Sequence, residues 1–175
     1  MPSRTALTIG FFDGVHLGHQ DLIRHARARA GSKGTVVAVT FTRHPSLLFK
    51  RDSSLFVIYP FEKKLSLLKE AGCDRVLALE FNAKLAELSP KAFLLRILEE
   101  IPFSYLILGQ GACFGKERRG DENEIKALQK ELSFVVEYLP RLTQDGVKIS
   151  SGVIRSLILQ KEFEKASALL GRPYC

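Results

Sequence analysis

Two histidines, His16 and His19, stand three residues apart in GFFDGVHLGHQ, residues 10–20, directly after the apolar-rich run 5–9. At that spacing on the first turn of a helix both imidazoles face one anion, and the helix N-terminus adds positive potential. Gly18 removes a side chain from between them, while Gly10 and Gly14 let backbone approach a ligand closely. This is a phosphate cradle built from imidazole donors. The same pair also fits a helix cap or an adventitious metal site. A metal site would want a third ligand, and His25 and His44 lie at spacings that do not help. Neither GxxxxGK[ST] nor GxGxxG occurs in the chain, so no other phosphate-binding fingerprint competes. Asp13 is either a ligand group or an anchor that accepts backbone N–H bonds within the loop, the structural role weighing slightly more.

Such a cradle must be carried by something rigid. Apolar, β-branched runs recur at 5–9, 35–41, 75–81, 105–108 and 134–138, with longer amphipathic stretches between them. A helix beginning near His16 shows Leu22, Ile23, Ala26 and Ala30 on one face and stops at Gly31. A second runs from Pro60 to Gly72. A third opens at Ser89-Pro90 and buries Phe93, Leu94, Ile97, Leu98 and Ile101. The last helical stretch is 161–170, and Ser150 or Ser151 would cap a helix of its own. Continuous apolar strands separated by helices predict a doubly wound, Rossmann-like parallel sheet in an α/β domain. Ligands bind beyond the carboxyl ends of such strands, where strand order reverses, and the histidine loop follows the first strand.

Composition narrows the function classes. The 175 residues are 46% hydrophobic and 26% charged, which suits one ordinary domain with a real core. No run reaches the ~20 apolar residues of a membrane helix, and the N-terminus lacks a signal-peptide pattern, so the expectation is a cytoplasmic protein with no membrane partner. Cys73, Cys113 and Cys175 are scattered and odd in number, an expectation of reduced thiols rather than disulfides or zinc. A formal net charge of +7 favours an anionic partner. The basic residues fall in short groups without a basic tail, which argues against nucleic acid and for a small phosphorylated substrate.

Five ordered segments carry a family resemblance. His16-Leu17-Gly18-His19 resembles an HxGH signature, residues 40–45 (TFTRHP) resemble TFxPHP, and residues 114–116 (FGK) match an FGK loop. Residues 149–155 (ISSGVIR) resemble ISSTxIR, and residues 170–174 read LGRPY. Together they resemble the adenylyltransferase module of bacterial FAD synthase, the bifunctional riboflavin kinase/FMN adenylyltransferase. The resemblance implies a nucleotidylyltransferase fold over 1–175, with no riboflavin kinase domain in this chain. It implies transfer of AMP from ATP to FMN, giving FAD and pyrophosphate, with Mg2+ held mainly by substrate phosphates and water. By the same likeness His16, His19, Ser151 and Arg155 are the catalytic set. Gly10, Phe11, Asp13, Gly18 and Gly109 join them around ATP, and Phe49, Phe114, His44 and Pro45 lie around FMN. Phe49 could equally be a core residue; Phe114 stands in a glycine-rich loop where packing partners are sparse.

Three positions depart from that pattern. Gly111 stands where the family usually has Asp or Asn, Gly152 where it has Thr, and Arg43 where it has Pro. Two of these remove polar side chains, and losing one positioned group from an active site can cost ~100-fold in rate. Gln110 is a neighbouring substitute. The alternatives are therefore a transferase with another phosphate-ester acceptor, or a catalytically weakened nucleotide- or flavin-binding protein.

Overall fold

The five apolar runs become five parallel strands in a computed structural model, which describes residues 4–44 and 56–174. β1 (Thr5–Ile9), β2 (Thr35–Phe41), β3 (Arg75–Leu79), β4 (Tyr105–Gly109) and β5 (Val135–Leu139) form one sheet in the order β3-β2-β1-β4-β5. Thr5 lies opposite Thr35 on one side of β1, and Ala6 lies opposite Tyr105 on the other. Strand order reverses between β1 and β4, which puts the topological switch point directly below the histidine loop.

Seven helices accompany the sheet among the described residues: α1 (Leu17–Ala30), α2 (Phe61–Glu70), α3 (Ala83–Ala86), α4 (Pro90–Glu100), α5 (Glu122–Glu131), α6 (Ser151–Leu159) and α7 (Phe163–Leu170). Side chains alternate across each strand, so every strand feeds two cores. On one face Ala6, Ala38 and Ile107 pack with Ile23 of α1, Leu67 and Leu68 of α2, and Ile154 and Ala166 of α6 and α7. On the other, Leu7, Val39 and Leu108 pack with Phe93, Leu94 and Ile97 of α4 and Ile125 of α5. Each fully buried Leu or Ile contributes about 1.5–3 kcal/mol, and both faces are covered, as continuous apolar strands require.

The punctuation works as read at most boundaries. Gly31 ends α1 at φ 78°, and the Ser89 hydroxyl accepts from the Ala92 N–H at 3.1 Å to start α4. Several boundaries differ by one or two residues, and three of the differences have a visible local cause. The strand expected over 75–81 stops at Leu79, because Asn82 turns the chain into α3 by accepting the Leu85 N–H at 2.9 Å. The one expected over 134–138 begins one residue later, after Ser133 at φ 58°. The helix expected over 161–170 begins at Phe163, since Lys161 at φ 61° breaks it from α6. The sequence reading also passed over α5, which Asp121 caps, and over the hairpin of β6 (Thr143–Gln144) and β7 (Val147–Lys148). Asp145-Gly146 forms that hairpin's turn with φ 52° and 78°, the pairing two-residue turns favour. Cys73 and Cys113 are free thiols, and burial pushes that of Cys73 up to about 12.

Candidate active site

The loop leaving β1 is strained and heavily tied. Phe12 (φ 59°) and Val15 (φ 42°) adopt left-handed backbone although neither is glycine, at a cost of order 1 kcal/mol or more each. Gly14 shares that hand at φ 81°, and a Cβ there would stand 2.9 Å from the Ile58 Cδ1 atom. Four groups from elsewhere in the chain hold this shape. The Ser151 hydroxyl donates to the Asp13 carbonyl at 2.8 Å. Arg172 donates to the Gly14 and Val15 carbonyls at 2.7 and 2.9 Å. The Gln20 amide bridges the carbonyls of Val15 and Leu170 at 2.9 and 3.0 Å. Lys64 donates to the Phe11 carbonyl at 3.0 Å.

His16 is the N-cap of α1, and its Nδ1 accepts the N–H groups of Gly18 and His19 at 3.1 and 3.3 Å. An Nδ1 that accepts must be unprotonated, so the neutral ring carries its proton on Nε2. Burial first, and then the Arg172 guanidinium, push this imidazole down to about 4. His19 stacks on it with ring centres 3.6 Å apart and planes 18° off parallel, and meets the Phe12 ring edge-on at 5.1 Å. Burial, with the neighbouring His16 and the charges of Lys64 and Arg172, holds His19 well below its ordinary value, and its buried Nδ1 has no hydrogen-bond partner among the described residues. Two neutral rings can stack this closely; two imidazolium ions would repel. Gly18 is required here, since a Cβ would lie 2.9 Å from the His16 Cε1 atom.

Histidines of the unfolded chain take up protons near pH 6.5, whereas His16 in the fold resists to about 4, so stability is lost as pH falls through that window. The melting temperature is expected to be lower at pH 5 than at pH 7, and that fall to be shallower in His19→Ala. Equal melting at both pH values would contradict neutral rings.

Asp13 takes the structural role. One carboxylate oxygen accepts the Ile58 N–H at 2.8 Å and the other accepts from Arg155 at 2.7 Å, with the carboxylate 4% exposed. Arg155 therefore spends one end of its fork inside the protein, its side chain 18% exposed. Ser150, not Ser151, caps α6 by accepting the Val153 N–H at 3.2 Å, which frees Ser151 for the loop. The HxGH-like and ISSTxIR-like segments thus meet through Asp13. A Cβ at Gly152 would meet the Ser150 Oγ at 3.9 Å, an ordinary contact.

At the end of β2, His44 meets the Phe11 ring edge-on at 4.6 Å, while burial lowers its pKa. Pro45 and Phe49 lie outside the described residues. Phe114 has a packing partner after all, Phe93 at 5.3 Å, and rests half-buried on the second core. The expectation of sparse packing around it fails because the loop folds back, pairing Phe114 with Gly120.

A cavity of 290 Å³ opens beyond β1 and β4. Gly10, His16, Gly18 and His19 line one part; Gly109, Gln110, Gly111 and Arg141 are also in its wall, as are Ser150 and Ser151. Around Gly109 only Leu22 comes near the position of a Cβ, at 4.0 Å. Gly111 has φ +86°, and a Cβ there would stand 3.7 Å from an Arg141 nitrogen. Gly111→Asp would therefore trade about 1–2 kcal/mol of left-handed strain against an exposed ion pair worth at most ~1 kcal/mol. A midpoint lowered by ~2–4 °C is expected. Turnover measured on the same preparation separates that strain from any gain the carboxylate brings; an unchanged midpoint would contradict the backbone argument.

Three residues that shape the site, Gln20, Lys64 and Arg172, were missed in the sequence. Arg172 sits within LGRPY. Lys64 shares the apolar face of α2 with Leu67 and Leu68, a charged residue at core spacing, and that was its signal.

A family model described as FAD synthetase matches residues 1–153. A bifunctional riboflavin kinase/FMN adenylyltransferase of Listeria monocytogenes is 35% identical over 170 residues, covering 96% of this chain and 54% of the relative. An FAD synthetase of the same organism is 32% identical, covering 98% of this chain and 71% of that protein. The chain spans about half the length of the bifunctional relatives it matches. Among solved structures, one described as a macrolide-efflux protein from Streptococcus pneumoniae superposes with a TM-score of 0.87 at 26% identity, over 99% of this chain and 57% of that one. That name stays with that protein; among the described residues no helix is long and apolar enough to cross a membrane. With its family model spanning strands, histidine loop and the start of α6 alike, the chain belongs to the FAD synthetase family.

Proposed function

We propose that this chain transfers AMP from ATP to FMN, giving FAD and pyrophosphate. The observation that carries the reading is the stacked pair of imidazoles at the N-terminus of α1, beside a cavity at the switch point of the sheet. An FMN phosphate oxygen forms a bond to the α-phosphorus of ATP, and the bond to the β-phosphate breaks with its electrons leaving on pyrophosphate. The nucleophile is already ionised, so alignment and charge stabilisation do the work and no strong base is needed. His16 can donate through Nε2, α1 offers its first N–H groups, and the free end of the Arg155 fork suits a second phosphate. His19 is assigned the neighbouring phosphate contact.

A magnesium ion belongs to this proposal as cargo on the phosphates. Asp13 commits both carboxylate oxygens within the protein, and no three ionisable ligand side chains converge among the described residues. Magnesium would neutralise phosphate charge and keep most of its waters.

The test is incubation with ATP, magnesium and a panel of phosphate-ester acceptors, following pyrophosphate and the adenylylated product together. FAD formation with FMN is the expected result. Pyrophosphate released only with another acceptor would reassign the substrate, and ATP binding without turnover would make the chain a binding protein.

A further inference from the structure

Lys64 is a buried ammonium with no carboxylate in ion-pair contact among the described residues. It is 3% exposed, and its three N–H groups go to neutral oxygens: the Phe11 carbonyl at 3.0 Å, the Phe41 carbonyl at 3.0 Å and the Thr40 hydroxyl at 3.1 Å. Thr40 in turn donates to the Phe11 carbonyl at 2.9 Å, and the Phe11 ring lies under the ammonium at 3.8 Å. These hydrogen bonds knot the carboxyl end of β2 to the residue before the left-handed Phe12, and the ammonium also lies 5.5 Å from the centre of the Phe61 ring. Holding an unpaired charge in such a place costs several kcal/mol by burial alone, which a purely structural knot made by a neutral side chain would avoid.

We propose that Lys64 is a positioning residue of the nucleotide site, fixing the turn that presents His16 and His19 and supplying an uncompensated positive charge that favours a bound triphosphate. The inference rests on the reading that this site takes ATP. Among the described residues, the groups that face the ammonium leave that charge standing. Asp13 acts on it from the loop but is already paired with Arg155 of α6, and Lys64 adds, after burial and nearer charges, to the lowering of the His19 and His44 pKa values. Glu62 and Lys63, its neighbours on α2, are exposed. The two histidines being neutral, cationic character at the loop falls to Lys64, Arg155 and Arg172. Burial has lowered the lysine to about 8.

The experiment is calorimetric binding of ATP with magnesium to the whole chain, at pH 7.5 and pH 9, in buffers of different ionisation enthalpy. A triphosphate held near Lys64 favours its protonated form, so wild type is expected to take up a proton on binding at pH 9 and to bind more weakly there than at pH 7.5. Lys64→Arg keeps the charge without titrating: it should bind ATP with no proton uptake and little pH dependence. Lys64→Met should bind about tenfold more weakly at pH 7.5, the effect of one charge acting over ~10 Å at an effective dielectric near 20. Should Lys64→Met fail to fold, the proton count of wild type against Lys64→Arg still decides. Equal proton uptake by those two, or ATP binding by folded Lys64→Met as tight as wild type, overturns the role of Lys64 and leaves the proposed function intact. Absence of ATP binding by wild type overturns both.

Discussion

Truncation of His19 to alanine is expected to lower FAD formation by at least ~100-fold while moving the melting temperature by no more than a few degrees. The asymmetry comes from what the ring does in the fold. Its buried Nδ1 makes no hydrogen bond, so removing it strands no partner. The loss is one stack on His16 and one edge contact with Phe12, each worth about 0.5–1.5 kcal/mol, partly offset by releasing an unsatisfied buried nitrogen. The transition state has no comparable substitute: charge building on the phosphates loses a donor already oriented by its packing. A single-turnover assay beside a thermal melt separates the two quantities. Full activity in a well-folded His19→Ala protein would remove the residue from the mechanism.

How much of this could be read from the chain itself depends on the range of the interaction. The α1 turn is local: His16 caps through Nδ1 within three residues, Gly18 is small because the His16 ring fills its Cβ position, and Gly31 closes the helix. Those features, and the strands whose side chains feed two cores, follow from spacing and composition. The loop's supports are long-range. Arg172 reaches back 158 residues to Gly14, Ser151 reaches 138 to Asp13, and Lys64 reaches 53 to Phe11. Periodicity does not encode such distances, so Ser151 and Arg155 read as phosphate ligands when both also brace Asp13. Phe114 shows the same limit in reverse. Its glycine-rich surroundings suggested sparse packing, while Phe93, from a helix earlier in the chain, supplies a ring contact.

That dependence on distant braces sets the second large effect. Arg155→Met is expected to destabilise the fold by about 3–5 kcal/mol, because it leaves the Asp13 carboxylate 4% exposed with no ion-pair contact and one hydrogen bond, from the Ile58 N–H, among the described residues. For a chain of this size the midpoint would fall on the order of 10 °C. Adding Asp13→Asn to Arg155→Met removes the stranded charge and should recover most of the loss, since the amide oxygen can still accept from Ile58. Arg155→Lys discriminates further. An ammonium can face Asp13, so the melting temperature should stay nearer wild type, yet it cannot serve the carboxylate and a phosphate through one planar fork, and turnover should remain well below wild type. If Arg155→Met melts like wild type, the Asp13 pair is not what shapes the loop. If Arg155→Lys matches wild type in both stability and kcat/KM, the arginine acts through its charge on Asp13 alone, and the phosphate contact assigned to its free end falls away.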